Sequence, residues 1–127
     1  MGNFKTPKQL SPLQLAFYGD SVYEKLVRGY LLNAGDFKAG ELHSKSTYYV
    51  CAKSQCIGAK AIYDVLSEEE LSVFKRGRNA HTHTPKSASS SEYAYATGLE
   101  CLFGFLDLTG QKERINELFN LVINSIQ

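Results

Sequence analysis

With 127 residues, 43% of them hydrophobic, the chain is long enough for one packed domain and too short for two, so residues 1–127 are read as a single domain. Fourteen basic residues against 13 acidic ones leave a net charge of +1, which excludes a polycationic tail and confines any basic surface to a local patch. Three cysteines without C-x-x-C spacing, no leader peptide and no apolar run of membrane length point to a soluble protein of a reducing compartment, the cytoplasm.

Residues 1–10 contain a proline and no amphipathic period, and are expected to form an irregular lead-in. A helix then announces itself: Ser11 is a good N-cap, Pro12 suits the first helical position, and Gln14 completes an S-x-x-Q capping box. Roughly 22 residues follow before Asn33-Ala34-Gly35, about 33 Å of helix at 1.5 Å per residue. Helical spacing through Leu13, Phe17, Asp20, Glu24, Val27 and Leu31 traces one face, on which Asp20 and Glu24 interrupt an apolar stripe. A carboxylate placed there needs a partner or a metal.

A turn over 36–40 leads into a stretch, Glu41 to about Leu66, that reads as helical with a break near Ala52 or Gly58. No acid occurs from Leu42 through Tyr63, whereas Lys45, Lys53 and Lys60 do, interleaved with His43, Tyr48, Tyr49 and Gln55. A solvated face and a phosphate-contacting face both fit that pattern. Ser67 to Glu70 forms a second capping box, opening a short helix that ends in KRGRN at 75–79. The polar stretch 79–91 predicts a loop, and from Leu71 to Ser91 the chain carries Lys75, Arg76, Arg78, Lys86 and two histidines without an acid. Ser89 to Glu92 caps the next helix, which runs to about Leu108 and stops at Gly110. On it Glu100 falls in the stripe of Tyr93, Ala96, Thr97, Phe103 and Gly104. Ile115, Leu118, Phe119, Val122, Ile123 and Ile126 mark a final helix with one core-facing stripe. No stretch alternates in a strand period, so the fold is expected to be all-α, a bundle of five to seven helices.

Inward carboxylates on two helices suit a divalent cation such as magnesium, which takes hard oxygen ligands, keeps waters and serves phosphodiester hydrolysis. The same residues also fit buried acids paired with Lys or Arg, and Glu24 has Arg28 one turn on for that purpose. His81 and His83 lack a third nearby ligand for zinc, and no histidine adjoins Cys51, Cys56 or Cys101 to make a nucleophile.

FYGDSVYE at 17–24 resembles the signature of the ribonuclease III family, and YATGLECLFGF at 95–105 is similar to its second acidic motif. LHSKS at 42–46, AKSQ at 52–55 and KRGRNA at 75–80 extend the likeness over nearly the whole chain, most similar to the short form, Mini-ribonuclease III, which lacks a separate double-stranded-RNA-binding domain. Two of the family's four usual site acids are missing: Ala16 stands four residues before Asp20, and Thr97 three before Glu100. The resemblance implies a ribonuclease III-type endonuclease bundle and a homodimeric endoribonuclease dependent on magnesium, with manganese able to substitute. Such an enzyme cuts both strands of duplex RNA at staggered positions, leaving 5' phosphates and 3' overhangs. The implied substrate is precursor 23S ribosomal RNA, with a ribosomal protein as a candidate helper.

Under the resemblance Asp20 and Glu100 are the catalytic metal ligands, and Glu24 is a candidate third. His43, Lys53 and Gln55 would reach phosphates or 2'-hydroxyls near the cut, while Lys75, Arg76, Arg78, Asn79 and Lys86 grip the backbone further along. A non-catalytic RNA-binding or ribosome-assembly module on the same fold is the rival. An HD-type phosphohydrolase fits poorly, because none of His43, His81 and His83 is followed by aspartate.

Overall fold

The structure, a computed structural model, describes residues 5–80 and 89–127; Lys86, His81 and His83 lie outside the described residues. Six α-helices make up the bundle: α1 (Pro12–Ala34), α2 (Ala39–Val50), α3 (Ala52–Ile62), α4 (Glu68–Asn79), α5 (Ser90–Leu108) and α6 (Lys112–Ile126). Single 3-10 turns at Pro7–Gln9 and Tyr63–Val65 complete it, so the lead-in is less irregular than expected, and among the described residues there is no strand. Among them, too, no helix is long and apolar enough to cross a membrane.

The caps act as the sequence predicts. Ser11 Oγ accepts the Gln14 amide at 3.1 Å while the Gln14 side chain accepts the Ser11 amide at 2.9 Å, and Ser67/Glu70 and Ser89/Glu92 repeat the exchange. The expected break falls at Cys51, whose extended backbone separates α2 from α3. Gly58 stays inside α3, where a Cβ would come 2.5 Å from a methyl of Val122 on α6. Gly110 closes α5 with a φ of +72°, a conformation L side chains rarely adopt.

α5 is the central helix. It packs on α1, α3, α4 and α6, and its residues 96–106, Glu100 apart, are buried. A helix apolar on most of its circumference belongs in such a position. Tyr23 of α1 fills the space between Phe103 and Phe119, with ring centroids 5.8 and 5.9 Å away.

One expectation needs correction. The inner face of α1 is formed by Leu15, Ala16, Gly19, Tyr23, Val27 and Leu31, whereas Leu13 and Phe17 are exposed, Phe17 by 85%. The first turns of α1 are rotated away from the stripe its large side chains suggested. The reason is the crossing with α5: a Cβ at Gly19 would overlap the carbonyl of Glu100, and one at Gly104 would overlap the carbonyl of Leu15. Backbone rests on backbone there, so small residues face inward and the bulky ones turn out. Asp20 is consequently at the exposed rim of the crossing instead of within a buried stripe.

Candidate active site

The Gly19–Gly104 crossing places the residue after Gly19 beside the residue one turn before Gly104. Those residues are Asp20 and Glu100. Their carboxyl groups come within hydrogen-bonding reach, although 80 residues separate them in the chain. Asp20 is open to solvent and Glu100 lies half-buried behind it. Burial, and after it the Asp20 carboxyl, pushes the Glu100 pKa up to about 8. Gln55 Nε2 donates to Glu100 Oε2 at 3.4 Å, a contact that favours the ionised form.

Gln55 is therefore not where it was expected. Read as an RNA contact, it is 2% exposed on the inner face of α3 and orients Glu100 from within. A signal for this was present: Gln55 falls in register with Gly58, Ala59 and Ile62, the buried face of α3. Ala16 and Thr97 are each 6% exposed, and the Thr97 hydroxyl donates to the Tyr93 carbonyl at 2.9 Å. Among the described residues no cluster of three or more His, Cys, Asp or Glu side chains forms.

The remaining candidates are distributed over α1, α2, α3 and α4. Glu24 is held by Arg28 at 2.9 Å on the exposed side of α1. His43 is exposed on α2, beside a cavity of about 350 Å³ shared with Arg28, Leu32 and Leu42. Lys53 is exposed on α3, as are Lys75, Arg76 and Asn79 on α4. Arg78 is half-buried, its Nε 3.3 Å from Asn79 Oδ1.

Two abutting carboxylates, one of them driven toward the protonated form by burial and by the other, need positive charge. With the Gln55 amide beside them, these two carboxylates fit a divalent cation that retains water. The class of protein is thus an all-helical bundle with a two-carboxylate centre where α1 crosses the central helix α5. Residues 13–111 match the Ribonuclease III domain. Mini-ribonuclease 3 of Enterococcus faecalis is 46% identical over 122 residues, spanning 94% of this chain and 92% of that protein. That of Clostridium tetani is 43% identical over 119 residues, 92% of this chain and 79% of that one. A crystal structure of a Fusobacterium nucleatum protein, 34% identical, superposes with a TM-score of 0.85 over 94% of this chain and 98% of that one. The chain belongs to the ribonuclease III family, in its Mini-ribonuclease 3 branch, and is by that membership an endoribonuclease.

Proposed function

We propose that the protein is a magnesium-dependent endonuclease of duplex RNA, cutting the two strands at staggered positions in the cytoplasm, with precursor 23S ribosomal RNA as substrate. The observation that carries this reading is the Asp20–Glu100 pair, two carboxylates that among the described residues have no cation within ion-pair distance, at a rim open to solvent. Asp20 and Glu100 would hold the ion, which supplies the positive charge that phosphodiester hydrolysis needs. The chain's own groups do the placing. Gln55 fixes the Glu100 carboxylate from inside, the glycine crossing sets its spacing from Asp20, and Asp20 presents its oxygens outward, where an RNA phosphate can arrive. Glu100 must give up its proton as the ion enters, so metal affinity rises with pH through the neutral range.

A-form RNA is recognised through its phosphate ridges and 2'-hydroxyls, and Lys53, His43 and the α4 cations offer donors on the surface. Two strands call for two centres, and exposed Phe17 with Leu13 beside it gives α1 an apolar surface next to Asp20 that suits a homodimer. A ribosomal protein would act by presenting the RNA.

The test is cleavage of a labelled RNA duplex, and of the matching single strand, by the wild type and by Asp20→Asn. Expected are staggered cuts in the duplex that require magnesium, no cutting of the single strand, and a loss on the order of 10³-fold in the variant. Sedimentation should give twice the 14.1 kDa mass of the chain. Binding without cleavage, or cleavage indifferent to Asp20→Asn, would return the protein to the non-catalytic RNA-binding reading.

A further inference from the structure

Beyond the carboxylate centre, α3 and α5 meet at a second polar rung. Gln55 touches Glu100, and five residues further along α3 the Lys60 ammonium sits 5.2 Å from the ring centroid of Tyr95, which lies five residues back along α5. The two helices are thus antiparallel in this region, and the second rung stands about 7.5 Å along their axes from the first at 1.5 Å per residue.

A third element joins at the second rung only. Arg78 of α4 brings its guanidinium carbon to 5.8 Å from the same ring. Both cations are seated by cation–π attraction on one aromatic ring. The ring itself is fixed from behind: Tyr95 packs on fully buried Phe74 at 5.9 Å, and Phe74 on Tyr63 at 5.8 Å. Among the described residues neither cation has a carboxylate within ion-pair distance. Sharing one ring puts the two positive charges within about 11 Å of each other, roughly the Debye length at 0.1 M salt, so they repel as well as add.

Among the described residues these two cations, drawn together on a rigid ring, have no counter-anion. We infer that Lys60 and Arg78, seated on Tyr95, form a clamp for a backbone phosphate of the bound RNA flanking the scissile one. Lys60 is exposed and Arg78 half-buried, so one charge can reach out while the other stays fixed. Tyr95 is a positioning residue: it touches no phosphate and holds the two groups that do. The clamp rests on the duplex-RNA reading given above. It explains why the acid-free stretch of α3 and the basic end of α4 converge on a single point of α5 instead of forming separate solvated faces.

The experiment is equilibrium binding of a short RNA duplex to the full chain in EDTA, measured against salt concentration. Lys60→Met and Arg78→Met should each weaken binding about five- to tenfold and lower the slope of log K against log salt by about 1. Tyr95→Leu should lower it by about 1 as well, the share of the single clamped phosphate, and Tyr95→Phe should behave as the wild type. In cleavage, Lys60→Met should raise KM and keep kcat. Lys60 is exposed, so its variant folds, and thermal melting checks the Tyr95 variants. Unchanged slopes in both cation variants would overturn the clamp, as would a well-folded Tyr95→Leu that binds normally. Failure of the clamp alone leaves wild-type duplex cleavage intact, whereas failure of the nuclease reading removes that cleavage whatever the slopes show.

Discussion

Two carboxylates sit inside this bundle in opposite circumstances. Glu70, 5% exposed, is met by Arg114 through Nε and a terminal nitrogen, both at 2.9 Å, and also takes the Ser67 amide at 2.9 Å. The Arg114 guanidinium holds its carboxyl below the usual range. Glu100 has a neutral amide at 3.4 Å and another carboxyl beside it, and burial drives it up to about 8. The first acid is neutralised by a cation of the protein itself, while the second, among the described residues, has no cation within ion-pair distance. A buried acid thus reports its role through its neighbours more than through its burial.

Glu100→Gln should separate the two most sharply. On the proposed function cleavage should fall on the order of 10³-fold, because Glu100 would hold the ion. Stability moves the other way. Since the folded pKa lies above the ordinary 4.5, the metal-free wild type binds more protons than the unfolded chain and loses stability as pH rises from about 4.5 to about 8. The variant carries no such titration and should exceed the wild type by about 2–4 kcal/mol at pH 8 without metal. Melting curves against pH, with and without magnesium, check this, and parallel curves would break the contrast.

Arg114→Met strands Glu70 and should cost about 3 kcal/mol at neutral pH, with turnover per folded molecule unchanged. Here the sign is reversed: a depressed carboxyl stabilises above its ordinary pKa and loses that contribution as pH falls through the folded value, so the variant and wild type should converge in acid. Urea titrations at pH 7 and pH 3 measure it. The smallest effect belongs to Glu24→Gln. Its exposed pair with Arg28 is worth about 0.3–0.5 kcal/mol, and the magnesium concentration for half-maximal cleavage should not move. A shift to higher magnesium would restore Glu24 as a ligand.

Helix ends were legible because their signals are local: Ser11, Ser67, Ser89 and Gly110 act within a few residues of themselves. The rotation of α1 was not, since a hydropathy pattern counts Phe17 as inner and Gly19 as neutral, whereas a backbone crossing ranks them the other way. Glu100 was legible as a misplaced charge, whereas Asp20 was singled out from a stripe that α1 does not bury, and the partners that define buried acids are remote. Gln55 lies 45 residues from Glu100 and Arg114 lies 44 from Glu70, and nothing in a single chain pairs them. The seat of Lys60 and Arg78 on Tyr95 was hidden for the same reason.

The crossing at Gly19 and Gly104 has a consequence for how this protein can vary. Because main chain touches main chain, the gap between the two site carboxylates is gauged by the thickness of a peptide backbone and not by the girth of any side chain. Exchanges among Val122, Ile123 or Leu118 on α6 alter how firmly the bundle holds without resetting that gap. The interior is thereby free to drift in composition while the spacing of the acids stays calibrated.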